Sequence, residues 1–88
     1  MNPLDTTEIG STGVRVTRLG LGGAPIGGNL VPVTEAAATE IVRKALDLGI
    51  RYLDTAPLYG LGKSESFYGQ VLPGVDRDTF VLSTKVGR

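Results

Sequence analysis

Apolar and polar positions divide the chain into short β-type runs separated by two helical segments. Thr7-Glu8-Ile9 and Val14-Arg15-Val16 are brief alternating runs, and Gly10-Ser11-Thr12-Gly13 between them is turn chemistry. Residues 7–16 therefore predict a small hairpin. Arg18-Leu19-Gly20-Leu21-Gly22 predicts a short strand, followed by a loop that contains Gly22, Gly23, Pro25, Gly27, Gly28 and Pro32. That loop is longer than a tight turn needs, and long glycine-rich loops often carry function.

The next segment has helical spacing. Ala38, Ile41, Val42, Ala45 and Leu48 fall on one side and predict the buried stripe. Glu35, Thr39, Glu40, Arg43, Lys44 and Asp47 fill the other side, with Glu40 and Lys44 one turn apart. Thr34 suits the N-cap, Glu35 suits the positive helix end, and Gly49 suits the left-handed residue that ends a helix. Residues 50–54 read as a strand, ended by Pro57 and the Tyr59-Gly60-Leu61-Gly62 loop. A second helix runs from Lys63 or Ser64 to about Leu72 and is stopped by Pro73-Gly74. Residues 80–85 are β-branched and aromatic enough for a last strand.

Strand, helix, strand, helix, strand implies an α/β fold with a parallel sheet and right-handed crossovers. Chemistry in such sheets gathers at the carboxyl ends of the strands. Those ends hold Gly22 and Gly23, Asp54 with Tyr59, and Lys85.

Composition narrows the chemistry. The chain has 88 residues, nine basic and nine acidic, with no cysteine and no histidine. That length is one small domain or part of a larger one. Without Cys or His, disulfide frameworks and ordinary zinc sites are excluded, and no metal site is expected. Zero net charge argues against nucleic acid or an anionic membrane as partner. The start lacks a basic segment followed by an apolar one, and the uncharged run from Leu19 to Thr34 carries five glycines and two prolines. Neither feature suits a signal peptide or a membrane span, so a cytoplasmic location is expected. Glycine is the anomaly: 13 of 88 residues, roughly twice the usual ~7 %.

Two nucleotide motifs nearly fit and fail on a proline. A dinucleotide fingerprint from Gly20 and Gly22 would need glycine where Pro25 stands, and its helix begins too late. A phosphate-binding loop ending in Gly62-Lys63-Ser64 would need glycine at Pro57, which has no N–H to offer a phosphate. The plain alternative is a strand-to-helix loop in which Gly60 and Gly62 allow the turn, Lys63 is solvated and Ser64 caps the helix.

A third constellation combines Asp54, Tyr59 and Lys85. If strands 50–54 and 80–85 are neighbours, the aspartate and lysine share one end and the tyrosine lies on the loop above. Tyrosine is a weak acid, with a reference pKa of ~10. A nearby ammonium favours phenolate, which suits a general acid for a carbonyl oxygen, and an aspartate keeps the ammonium charged and aimed. Spacing alone leaves two readings open: this acid–base unit, or a strand-end salt bridge under an ordinary loop tyrosine.

At these residues the sequence resembles the aldo-keto reductases. The resemblance rests on residues 49–60, Gly-Ile-Arg-Tyr-Leu-Asp-Thr-Ala-Pro-Leu-Tyr-Gly, then on Ser64-Glu65 with Gly69, and on Ser83-Thr84-Lys85-Val86-Gly87. The hairpin and Leu19-Gly20-Leu21-Gly22 match in order, so the likeness covers about Thr7 to Arg88. Residues 56–60 are most similar to the aldose or galactose dehydrogenase branch. The resemblance implies the first part of a (β/α)8 barrel, incomplete, as a single partial domain over residues 1–88 with the hairpin at its base. It implies NADP or NAD as cofactor and a small carbonyl or aldose as substrate. By matching motif, Asp54 is the orienting residue, Tyr59 the general acid or base and Lys85 the cation that assists it. Gly22, Gly23 and Ala24, with Asp54, fall near the nicotinamide ribose; the bland alternative is a glycine loop needed only for its turns. The family's catalytic histidine follows a fourth strand, and its main diphosphate and adenine contacts come later still. A barrel of this class needs ~250 residues. The expectation is therefore a chain inactive alone, with weak or no cofactor binding. Open strand edges promote association, so the competing expectation is a non-catalytic interaction module or one half of a split barrel.

Overall fold

The structure is a computed structural model that describes residues 2–28 and 30–87. Strands β1 (Thr6–Glu8) and β2 (Arg15–Thr17) form the antiparallel hairpin, paired Thr6 to Thr17, Thr7 to Val16 and Glu8 to Arg15. The Glu8 carboxylate accepts from the Gly13 N–H at 3.1 Å, which satisfies the turn. Thr17 is buried at the exit of the hairpin. Its hydroxyl donates to the Leu19 carbonyl at 2.6 Å and accepts from the Arg51 N–H at 3.1 Å, tying the hairpin to the start of a later strand.

Three parallel strands follow: β3 (Gly20–Gly22), β4 (Tyr52–Asp54) and β5 (Val81–Ser83), in the order β3-β4-β5. Helix α1 (Glu35–Asp47) links the first two and α2 (Lys63–Val71) the second two. The expected parallel α/β order is thus the one adopted. The strands are shorter than the expected 50–54 and 80–85: Ile50 closes the helix before β4, and Phe80 ends a 3-10 turn, Arg77–Thr79, before β5. The Gly49 N–H bonds to the Leu46 carbonyl and the Ile50 N–H to the Ala45 carbonyl, each at 3.0 Å. With Gly49 at φ 97°, these two bonds end α1 in a Schellman motif. At the other end the Thr34 hydroxyl accepts from the Ala37 N–H, as a capping threonine does.

Side chains alternate across a strand, so the register sorts the sheet into two faces. Leu21, Leu53 and Leu82 are partners in one row. Leu53, in the middle, is fully buried and packs in one cluster with Ala38 and Val42 of α1 and Tyr68 and Val71 of α2. The rows Gly20–Tyr52–Val81 and Gly22–Asp54–Ser83 point to the opposite face. The helices therefore cover one side, and the chemistry faces the other.

The stripe of α1 is narrower than its hydrophobicity predicts. Ala38, Val42 and Ala45 are buried, but Ile41 and Leu48 are 41 % and 56 % exposed. They lie on the flank of α1 away from the core, where a surface groove of about 570 Å³ runs past Ala37, Ile41, Leu48 and Ile50. Glu40 and Lys44 do not close into an ion pair; among the described residues the one within 4.0 Å joins Lys85 to Asp54. No helix among the described residues is long and apolar enough to cross a membrane.

Two substitutions separate the core from this flank. Leu53→Ala is expected to lower the unfolding free energy by ~2–5 kcal/mol. Leu48→Ala should change it by less than ~0.5 kcal/mol. Urea denaturation followed by circular dichroism measures both.

Candidate active site

Asp54 ends β4, and the chain then crosses to α2 through the loop that carries Tyr59. The Thr55 N–H bonds to the Ser83 carbonyl at 2.9 Å, which carries the β4–β5 pairing past the last ladder residue and brings Lys85 to the same end. Lys85 donates to the Thr55 carbonyl at 2.9 Å and to the Tyr59 hydroxyl at 3.4 Å. Its ammonium lies 3.4 and 3.5 Å from the two Asp54 oxygens and 4.9 Å from the centre of the Tyr59 ring. The three residues expected to meet at the strand ends are thus brought together.

The cluster is open to solvent: the Lys85 and Asp54 side chains are 49 % and 39 % exposed. Desolvation works against the ammonium, but the bond to Tyr59 and the charge of Asp54 outweigh it, so the Lys85 pKa lies above its ordinary value. A second tyrosine approaches from the helical side. Tyr68 is buried, and its hydroxyl lies 3.4 Å from the Asp54 carbonyl. Burial first, and the Asp54 charge second, push the Tyr68 phenol well above the usual range. Tyr68 stays a neutral donor, and Tyr59 is the tyrosine in contact with a cation.

The loop that holds Tyr59 is fixed from beneath. Ser64 was expected to cap α2, but Gly62 takes that position and Ser64 is fully buried. Its hydroxyl lies 2.7 Å from that of Thr55, a buried pair that staples the first residue after β4 to the first turn of α2. Ser64 turns inward because the core face of α2 runs through Ser64, Tyr68 and Val71. On the neighbouring side the loop meets the chain after β3 backbone to backbone. A Cβ on Gly60 would run into the Gly27 carbonyl oxygen, and one on Gly27 would lie 2.8 Å from that of Tyr59.

Gly22, Gly23 and Ala24 differ in their surroundings. Gly22 ends β3 as the register partner of Asp54, and nothing lies within 4 Å of where its Cβ would be. Gly23 is buried, and a Cβ there would strike the Asp54 carbonyl oxygen and lie 2.7 Å from the Ser64 hydroxyl. Its glycine is a packing requirement. Ala24 is half-buried and precedes the short 3-10 turn Pro25–Gly27. Among the described residues no group of three carboxylates could hold a metal.

Ser83 escaped the sequence reading. It is the register partner of Asp54 and donates to Asp54 Oδ1 at 2.7 Å, shorter than either lysine contact with that carboxylate. Counting two residues back from Lys85 reaches the same strand face and would have found it.

Comparison with known proteins finds similarity to proteins named as dehydrogenases and reductases. More narrowly, residues 18–88 match the model of the Aldo/keto reductase family, and the chain belongs to that family. It is 48 % identical over 80 residues to pyridoxal 4-dehydrogenase of Microbacterium luteolum, covering 91 % of this chain and 23 % of that protein. It is 38 % identical over 90 residues to L-galactose dehydrogenase of Arabidopsis thaliana, covering 100 % and 28 %. That relative agrees with the branch to which residues 56–60 pointed. An aldo-keto reductase from Klebsiella pneumoniae, solved in complex with NADPH, matches with a TM-score of 0.69 at 32 % identity, over 82 % of this chain and 24 % of that one. The chain spans about a quarter of the length of the curated relatives it matches.

The Thr55–Ser64 pair is open to a direct test. Ser64→Ala leaves a buried hydroxyl without its partner and is expected to cost ~1–3 kcal/mol. Adding Thr55→Val should recover part of that loss, and the coupling is read from a double-mutant cycle.

Proposed function

We propose that these residues form the acid–base end of an NADP- or NAD-dependent reductase or dehydrogenase acting on a small carbonyl or aldose, within the first part of a (β/α)8 barrel. The observation that carries this reading is the Lys85 ammonium, within 3.5 Å of both the Tyr59 hydroxyl and the Asp54 carboxylate at the carboxyl end of a parallel sheet. Tyr59 Oη gives its proton to the carbonyl oxygen of the substrate in reduction and takes it back in oxidation. Lys85 stabilises the negative charge left on Tyr59 Oη when the proton has gone, and Asp54 holds Lys85 in place. When bound, the nicotinamide supplies or accepts the hydride. Gly22, with Gly23, Ala24 and Asp54, borders the space proposed for its ribose side, and the free volume over Gly22 is compatible with a ligand there.

We propose too that this chain alone does not turn over. The half-exposed site lacks the walls that would exclude water. The sequence has no histidine, which the family's catalytic set includes. A chain produced with the remaining strands of a relative's barrel is the system in which to test Tyr59. There Tyr59→Phe should lower kcat by ~10²–10⁴-fold and leave NADPH affinity unchanged. Equal loss of rate and affinity would make Tyr59 structural.

A second reading has its own observation. Leu82 on β5 is 37 % exposed, and Ile41 and Leu48 are about half exposed on the other flank, so both sides of the sheet unit present apolar surface. That surface suits pairing with a second copy or a complementary chain in place of catalysis. For the isolated chain the catalytic reading expects no carbonyl turnover and little or no thermal shift with NADPH. Turnover by a monomer in analytical ultracentrifugation would overturn the claim that further structure is needed. A stable oligomer without NADPH binding would favour the interaction module.

A further inference from the structure

The short contact that fixes the Asp54 carboxylate comes from a neutral residue. Ser83 Oγ donates to Asp54 Oδ1 at 2.7 Å, whereas Lys85 is 3.4 and 3.5 Å from the two oxygens of the same group. The ammonium has one close partner, the Thr55 carbonyl at 2.9 Å, and its reach to the Tyr59 hydroxyl is again 3.4 Å. Lys85 is thus anchored on backbone and suspended almost evenly between a full negative charge and a neutral phenol. Coulomb attraction favours the carboxylate strongly over the phenol. Even sharing therefore requires that the carboxylate be unable to turn toward the ammonium.

Rotation of the carboxylate about its last torsion is soft, because the preference there is broad. Ser83 removes that freedom. It is the direct register partner of Asp54, on the same face of the sheet, and its bond to an ionised acceptor is of the stronger class. We infer that Ser83 is a positioning residue: by holding Asp54 Oδ1 it keeps the carboxylate from capturing Lys85, and so keeps the ammonium at the Tyr59 hydroxyl. This inference rests on the reading of Tyr59 as the acid–base group for its importance. Its test reads geometry in the chain itself, so it stands or falls apart from turnover.

The experiment is nuclear magnetic resonance of the 88-residue chain with Ser83→Ala and Ser83→Thr. The readout is the Overhauser contact, with the accompanying ring-current shift, between the Lys85 ε-methylene protons and the Tyr59 ring. Ser83→Ala is expected to cut that contact by half or more while the backbone amide spectrum outside the site is unchanged. Ser83→Thr, which keeps the hydroxyl, should restore it. An undiminished contact in Ser83→Ala would overturn the proposal, as would an equal loss in Ser83→Thr, which would trace the effect to side-chain volume. If Ser83→Ala loses the folded spectrum, Ser83→Cys takes its place, with a weaker donor of similar size, and an undiminished contact there overturns the proposal equally.

Discussion

The pleat of β4 is the constraint on which the rest depends. Three residues, Tyr52, Leu53 and Asp54, occupy the middle of the parallel sheet. Alternation sends Leu53 into the helices and Asp54 to the opposite face. A slip of one residue would exchange them, burying a carboxylate in the apolar cluster and exposing the leucine at its centre. The energy of the core and the address of the charged group are therefore specified by one register, and neither can change without the other. The carboxyl-end cluster inherits its position from that choice. Ser83 is aligned with Asp54 because Leu82 is aligned with Leu53.

Much of this architecture was legible in the residues. The elements followed from apolar spacing and from local punctuation, with Thr34 and Gly49 acting at the two ends of α1 as their chemistry suggests. Asp54, Tyr59 and Lys85 could be gathered at one end of the sheet because strand order alone decides which ends coincide. What a linear pattern does not carry is the identity of the neighbour. Ile41 and Leu48 are as apolar as Val42, but burial depends on what packs against them, and the described residues place nothing there. Ser64 looks like a cap because serine often is one; it lies instead on the core face of α2, where the Thr55 hydroxyl satisfies it. Ser83 was within reach of the strand alternation, but its bond to Asp54 depends on a register that the linear pattern does not fix.

The cluster contributes unequally to fold and to chemistry. Lys85 and Asp54 are solvated, and charges in that state add little to stability. The anchoring is done nearby by groups with no charge: the Thr55–Ser64 hydroxyl pair, the Thr55 amide on the Ser83 carbonyl, and the buried Tyr68 under β4. Rigid neutral supports around a solvated charged pair are a sound arrangement for chemistry. The charges face the open side of the sheet while their frame stays fixed.

Gly27 and Gly60 meet through their backbones, and neither has space for a single added carbon. Most contacts between side chains can drift over evolutionary time, because a larger residue on one side is offset by a smaller one on the other. Here there is no smaller residue to substitute. Gly60 is locked by the main chain of Gly27, and Gly27 by the main chain of Tyr59 and Gly60, so they offer no compensating pair of exchanges. A survey that finds contacts by searching for correlated substitutions would pass over this junction, although it sets where Tyr59 stands.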